Sequence, residues 1–159
     1  MAEEALAPGG TVAVLADDLI WASRLVAAVE RAGAQGARLS TEVQLETVLM
    51  AHAEAEPVPG EAALAQGDRP PRLLGVIVDL GGRSYDGTAA VARASAARLR
   101  VIAVAQHDDQ STRKRALDAG AQRVFSYAKL FTDGPQVIER WLEAERPVAR
   151  SGAVGGSRA

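Results

Sequence analysis

Apolar residues along the chain fall into short runs separated by stretches with helical spacing. Thr11–Ala16 (TVAVLA) is a β-rich run that stops at Asp17-Asp18. Leu19–Ala32 places Leu25, Val26 and Val29 on one helix face, with Arg24, Glu30 and Arg31 elsewhere, and Gly33 ends it. Gly36–Ser40 reads as a short second strand, and Thr41–Ala55 as an amphipathic helix carrying Leu45, Val48 and Leu49. Leu73–Val78 (LLGVIV) is the most apolar strand, Gly87–Leu99 an Ala-rich helix, and Val101–Ala105 (VIAVA) a fourth strand. Ser111–Ala119 is a helix stopped by Gly120, Arg123–Tyr127 a fifth strand, and Thr132-Asp133-Gly134-Pro135 the start of a last helix. Val137, Ile138, Trp141 and Leu142 line that helix's apolar face, which buries it against the sheet and leaves a share for a homodimer.

Strands that are apolar throughout and alternate with helices predict an α/β fold, a doubly wound (βα)5 parallel sheet covered on both faces. Between Glu56 and Arg72 the text changes to EPVPGEAALAQGDRPPR, too long for an ordinary connection and read as a loop insertion over 56–72, with a helical turn at Glu61–Gln66. The expected domain spans 11–145, between a flexible N-terminus at 1–10 and a disordered tail at 146–159.

Composition narrows the chemistry. With 159 residues, 48% of them hydrophobic, the chain is long enough for one domain with a core. A formal charge of −2 gives no global pull towards nucleic acid or an anionic membrane. The absence of cysteine excludes disulfides, thiolate catalysis and Cys-ligated metals. His52 and His107 are too isolated in sequence to open a His-based metal site, and His107 reads as an exposed loop residue. No run approaches the roughly 20 apolar residues that span a bilayer, and the start MAEEALAPGG lacks a basic signal region, so a cytoplasmic setting is expected. Arg113-Lys114-Arg115 reads as a solvated helix face, because consecutive helical residues point in different directions. The glycines of GGRSYDG match no phosphate-loop pattern.

The ends of the strands carry the polar groups. The first strand ends in Asp17-Asp18, the third in Asp79, the fourth in Ala105-Gln106-His107, and the fifth runs through Tyr127 towards Lys129. In doubly wound sheets ligands bind at the carboxyl ends of strands where the winding reverses. If the first and third strands are neighbours, three carboxylates converge, a donor set that suits Mg2+. Asp79 is then placed to act as a nucleophile towards a phosphoryl group. Each acid also has a structural alternative: Asp18 and Asp86 as helix caps, Asp79 as a solvated loop residue. Trp21 is placed either to cover such a site or to pack.

VAVLADDLIWASRLVAAVERAG, VIVDLGGRSYDG and RALDAGAQRVFSY resemble the receiver domain of two-component response regulators, from Thr11 to Glu143 and interrupted by the insertion. The resemblance implies a flavodoxin-like receiver architecture with Asp79 as phosphoacceptor and Mg2+ held by Asp17, Asp18 and Asp79. It implies a histidine kinase or phosphotransfer protein as partner. Departures from the pattern lie in the switching half of the site. Ala105 stands where receivers carry a hydroxyl residue, and Val124 where they carry a switch aromatic. Tyr127-Ala128 stands where they carry Lys-Pro, so Lys129 becomes the phosphate-contacting candidate if the strand bulges, with Gln106 beside Ala105.

Two functions follow from this pattern. In one, a receiver-like domain of a phosphorelay accepts a phosphoryl group on Asp79 with weak coupling. In the other, a phosphorylation-independent pseudo-receiver offers a surface to a signalling protein. A phosphatase-like enzyme would need a general acid near Asp79 that the sequence does not offer, so no enzymatic activity is expected. Nor are nucleic-acid or membrane partners.

Overall fold

In the computed structural model, which describes residues 10–55 and 72–145, β-strands and α-helices alternate five times. The elements are β1 (Gly10–Leu15), α1 (Leu19–Arg31), β2 (Gln35–Leu39), α2 (Glu42–Ala55), β3 (Arg72–Asp79), α3 (Gly87–Ala96), β4 (Arg100–Ala105), α4 (Gln110–Ala119), β5 (Arg123–Ser126) and α5 (Tyr127–Glu145). The expectations for 1–9, for 56–71 with its helical turn, and for the 146–159 tail lie outside the described residues; Gly10 and Arg72, expected in the N-terminus and the insertion, open β1 and β3. No described helix is long and apolar enough to cross a membrane.

All strand pairs are parallel, in the order β2-β1-β3-β4-β5. Alternation along each strand feeds two cores. Leu15, Val76, Val78 and Ala103 point to one face, where α2, α3 and α4 supply Leu45, Val91 and Ala116. Val12, Val14, Ile77, Ile102 and Val104 point to the other, where α1 and α5 supply Leu25, Val29, Ile138 and Trp141. This is why the central strands read as unbroken apolar runs: both sides of the sheet are covered. The winding reverses between β1 and β3, whose registered ends, Leu15 opposite Val78, bring Asp17 and Asp79 into one region.

One boundary differs from the sequence reading with consequences for the site. β5 stops at Ser126, and Tyr127 already belongs to α5. α5 is two helices joined across a kink: Asp133 leaves helical geometry (φ −122°, ψ 23°), the helix expected from the Thr132–Pro135 signature follows it with Pro135 near its first turn, and a short helix from Tyr127 precedes it. Lys129 therefore sits on a helical turn and not on a bulged extension of β5.

Trp141 shows how closely α5 seats on the sheet. Its indole Nε1 donates to Gln122 Oε1 at 2.9 Å, and its ring occupies the space over Gly75, where a Cβ would fall 2.7 Å from Cη2. Gly75→Ala is expected to destabilise the fold by about 1–3 kcal/mol through this overpacking, measured by urea unfolding. A change within error would mean that α5 lifts off β3 freely.

Candidate functional site

The site is built where β1, β3 and β4 end. β3 is buried on both faces up to its last residue, and Asp79, 2% exposed, is the only buried polar or charged residue among those described. A carboxylate in that position must find donors inside the protein. Its Oδ1 accepts from the Gly81 amide at 2.9 Å and from the Tyr127 hydroxyl. Gly81 is required by this close approach: a Cβ there would lie 2.6 Å from the Tyr127 oxygen. Burial pushes the Asp79 carboxyl above its ordinary range; the bonds from Tyr127 and Gly81 partly offset this, and the charges of Asp17 and Asp18 add to it. Burial, together with the bond to Asp79 and its charge, likewise holds the Tyr127 phenol well above its usual value, so it is a neutral donor.

Tyr127 reaches Asp79 because α5 begins one residue after β5. Its ring rests on Trp21 of α1, with centroids 4.6 Å apart and planes tilted by 45°. Arg24 lies 5.9 Å from the Trp21 centroid and 4.3 Å from that of Phe131, so an aromatic and guanidinium wall continues along α1 and α5.

The other acids are occupied separately. Asp17 Oδ2 accepts from the Arg83 amide (2.7 Å), the Ser84 amide (2.7 Å) and the Ser84 hydroxyl (2.8 Å), which ties the β3–α3 loop to the end of β1. Desolvation acts to raise the Asp17 carboxyl, but the bonds from Ser84 and Arg83 outweigh it and leave the group below its usual value. Asp18 caps α1, its Oδ1 accepting from the Trp21 amide at 3.0 Å, and Asp86 caps α3 through the Ala89 amide at 3.1 Å. The structural alternative applies to both as caps, whereas Asp79 is deeply buried and no solvated loop residue.

Tyr85 is the functional residue that sequence reasoning missed. It is 7% exposed, and its hydroxyl lies 2.7 Å from the Asp79 carbonyl and 3.1 Å from that of Leu15, joining the ends of β3 and β1. Gly82 makes room for the ring, since a Cβ there would fall 2.2 Å from it. The signal was present in GGRSYDG: an aromatic residue among glycines needs somewhere to be buried.

At the end of β4, Ala105 is 3% exposed and contributes only a methyl group, and Gln106 is exposed beside it. Together with Asp79 and Tyr127 they border a cavity of about 410 Å3. Lys129 does not enter it: its ammonium pairs with Asp133 at 3.0 Å, one helical turn away. Val124 is buried on β5, and its carbonyl accepts from Arg113 at 3.0 Å. That bond draws Arg113 off the expected solvated face, while Lys114 pairs with Asp118 across the surface.

The expected metal set fares differently. Asp17, Asp18 and Asp79 share a region, but their carboxylates face different partners, and no group of three acidic or other ligating side chains able to hold a metal occurs among the described residues. The three carboxylates are not drawn together around one point; Mg2+, which keeps several waters, would need only one or two of them.

No protein-family model and no curated protein matches the sequence. Solved structures do match in shape. A response regulator receiver domain from Rhodospirillum rubrum aligns over 82% of this chain and 92% of its own, with a TM-score of 0.59 at 18% identity. One from Clostridium thermocellum aligns over 86% and 97%, with a TM-score of 0.64 at 13% identity. The receiver domain of a sensor histidine kinase from Pseudomonas aeruginosa, which has a magnesium ion coordinated in its active-site cleft, aligns over 85% and 98%, with a TM-score of 0.62 at 15% identity. The chain has the fold of response regulator receiver domains.

Two outcomes follow from the buried groups. Asparagine at position 79 keeps an oxygen for Tyr127 and Gly81 while removing the buried charge. A carboxyl whose folded pKa is raised stabilises the fold while protonated, and that contribution is lost as pH rises through the folded value. Asp79→Asn is therefore expected to melt a few degrees higher than the parent at neutral pH, with the gap closing in acid; thermal scans across pH check it, and a variant that melts lower at neutral pH would contradict it. Tyr85→Phe, which removes the hydroxyl shared by the Leu15 and Asp79 carbonyls and leaves the latter the Gly82 amide at 3.3 Å, is expected to cost about 1–3 kcal/mol in urea unfolding.

Proposed function

We propose that the chain is a receiver-like signalling module of a two-component pathway that works by presenting a surface to a protein partner, with Asp79 held as a structural carboxylate. The observation that carries this reading is the hydrogen bond from the neutral Tyr127 hydroxyl to Asp79 Oδ1. Phosphoryl transfer to a carboxylate relies on cations and donors aimed at the transferring group's oxygens. Here the donor nearest Asp79 is spent on Asp79 itself. Ala105 offers no hydroxyl, and Lys129 is engaged by Asp133. The side chains bordering the cavity include no lysine, arginine or histidine. On this reading the domain is not an enzyme, and its partner is a kinase, a phosphotransfer protein or another signalling protein that recognises its surface.

A second reading, in which Asp79 accepts a phosphoryl group, is supported by one feature: Asp79 Oδ2 accepts no hydrogen bond among the described residues, so one edge of the carboxylate remains open. The magnesium-bearing Pseudomonas receiver has the same fold.

Intact mass after incubation with acetyl phosphate and MgCl2, with Asp79→Asn in parallel, separates the two. The expected outcome is no phosphoryl gain on either protein. A single phosphoryl group gained by the parent and absent from the variant would establish Asp79 as an acceptor and displace the first reading.

A further inference from the structure

The two helices of α5 are anchored unequally. Beyond the kink at Asp133, Gly134, Ile138 and Trp141 are all buried. Gly134 sits so close to α1 that a Cβ there would lie 3.2 Å from that of Ala28. Ahead of the kink come less than two turns, 127–132, in which Leu130 alone is buried. A helix that short does not hold its shape unaided. Its place depends on the few contacts its side chains make.

Those contacts differ in strength. Ser126 Oγ accepts from the Lys129 amide at 3.0 Å and caps the segment. Lys129 Nζ pairs with Asp133 at 3.0 Å, but both side chains are about half exposed, and exposed pairs hold little. On the outer side Phe131 is 60% exposed, with the Arg24 guanidinium 4.3 Å from its ring. The contact that reaches inside the protein is the Tyr127 hydroxyl, which donates to Asp79 Oδ1 while its ring rests on Trp21. A hydrogen bond to a buried carboxylate outweighs the surface contacts.

We infer that 127–132 is a latched element: the Tyr127–Asp79 bond fixes it, and loss of that bond frees it to pivot about Asp133 while the rest of α5 stays seated. The inference rests on Tyr127 satisfying Asp79, and it gives the proposed interaction module a means of regulation. Whatever engages the Asp79 carboxylate in place of Tyr127 moves Phe131 and the partner of the Trp21 ring, on the α1 and α5 surface. Ala105 and Val124, which stand where receivers carry switch residues, take no part in this route.

Amide hydrogen exchange followed by NMR on the full chain tests this, with Phe131 and Thr132 compared against 139–142 of the same element. Tyr127→Phe keeps a ring on Trp21 and removes the latch. Asp79→Ala removes it from the other side, and Asp79→Asn keeps an oxygen for it. Exchange at Phe131 and Thr132 is expected to quicken roughly tenfold or more in Tyr127→Phe and in Asp79→Ala. It should stay near the parent rate in Asp79→Asn, with 139–142 unchanged throughout. No quickening in Tyr127→Phe, quickening there without Asp79→Ala, Asp79→Asn behaving as Asp79→Ala does, or equal quickening along all of α5 would each overturn the inference. Such a result would leave the interaction-module reading standing, because that reading falls only if Asp79 gains a phosphoryl group from acetyl phosphate.

Discussion

A carboxylate at the end of a strand buried on both faces has to be satisfied by its own protein, and much of the local architecture follows from that. Asp79 follows Val76, Ile77 and Val78, each 0% exposed, and is itself 2% exposed. An unpaired acceptor at that depth would cost on the order of 1–3 kcal/mol. Gly81 turns its amide back because it has no Cβ to collide with Tyr127, and Tyr127 arrives because β5 gives way at once to α5. The loop that makes this turn is held in place by Asp17, which collects both amides and the hydroxyl of Arg83-Ser84. Tyr85 then closes β1 to β3 from beneath.

The same bonds commit each acid to a partner. Carboxylates grouped for a metal would share one focus. Here Asp17 holds a loop, Asp18 a helix, and Asp79 a phenol. Each role lowers the cost of keeping the acids close together, and each removes an oxygen from any common centre. Tyr127 also joins the site to the surface through Trp21, whose other neighbour is Arg24. A partner touching the α1 and α5 surface is thus one aromatic contact away from Asp79.

The strand pattern made the fold legible, because a sheet covered on both faces leaves continuous apolar runs such as VIV and VIAVA whose order forces the winding. The acids at the strand ends were legible for the same reason: Asp17 and Asp79 are where those runs stop. What each acid binds was not. Tyr127 reads as the loss of a lysine when only the chain is in view, and its role as donor appears only once α5 is seen to start at Tyr127. Lys129 lies on a short helix that opens at Tyr127, ahead of the kink at Asp133, and nothing in the residues before Thr132 announces that earlier start. Tyr85 escaped notice because its partners are main-chain carbonyls of Leu15 and Asp79, groups that leave no mark in a sequence.

The central claim is that Tyr127 and Gly81, and not a metal ion, satisfy Asp79. Its most direct test is the 13C chemical shift of the Asp79 carboxyl, followed through a pH titration with and without saturating MgCl2. The account predicts a carboxyl that titrates above the ordinary aspartate range and follows the same curve in both series. A midpoint at or below that range, or a curve that Mg2+ displaces towards acid, would show a carboxylate held ready for a cation and would contradict it.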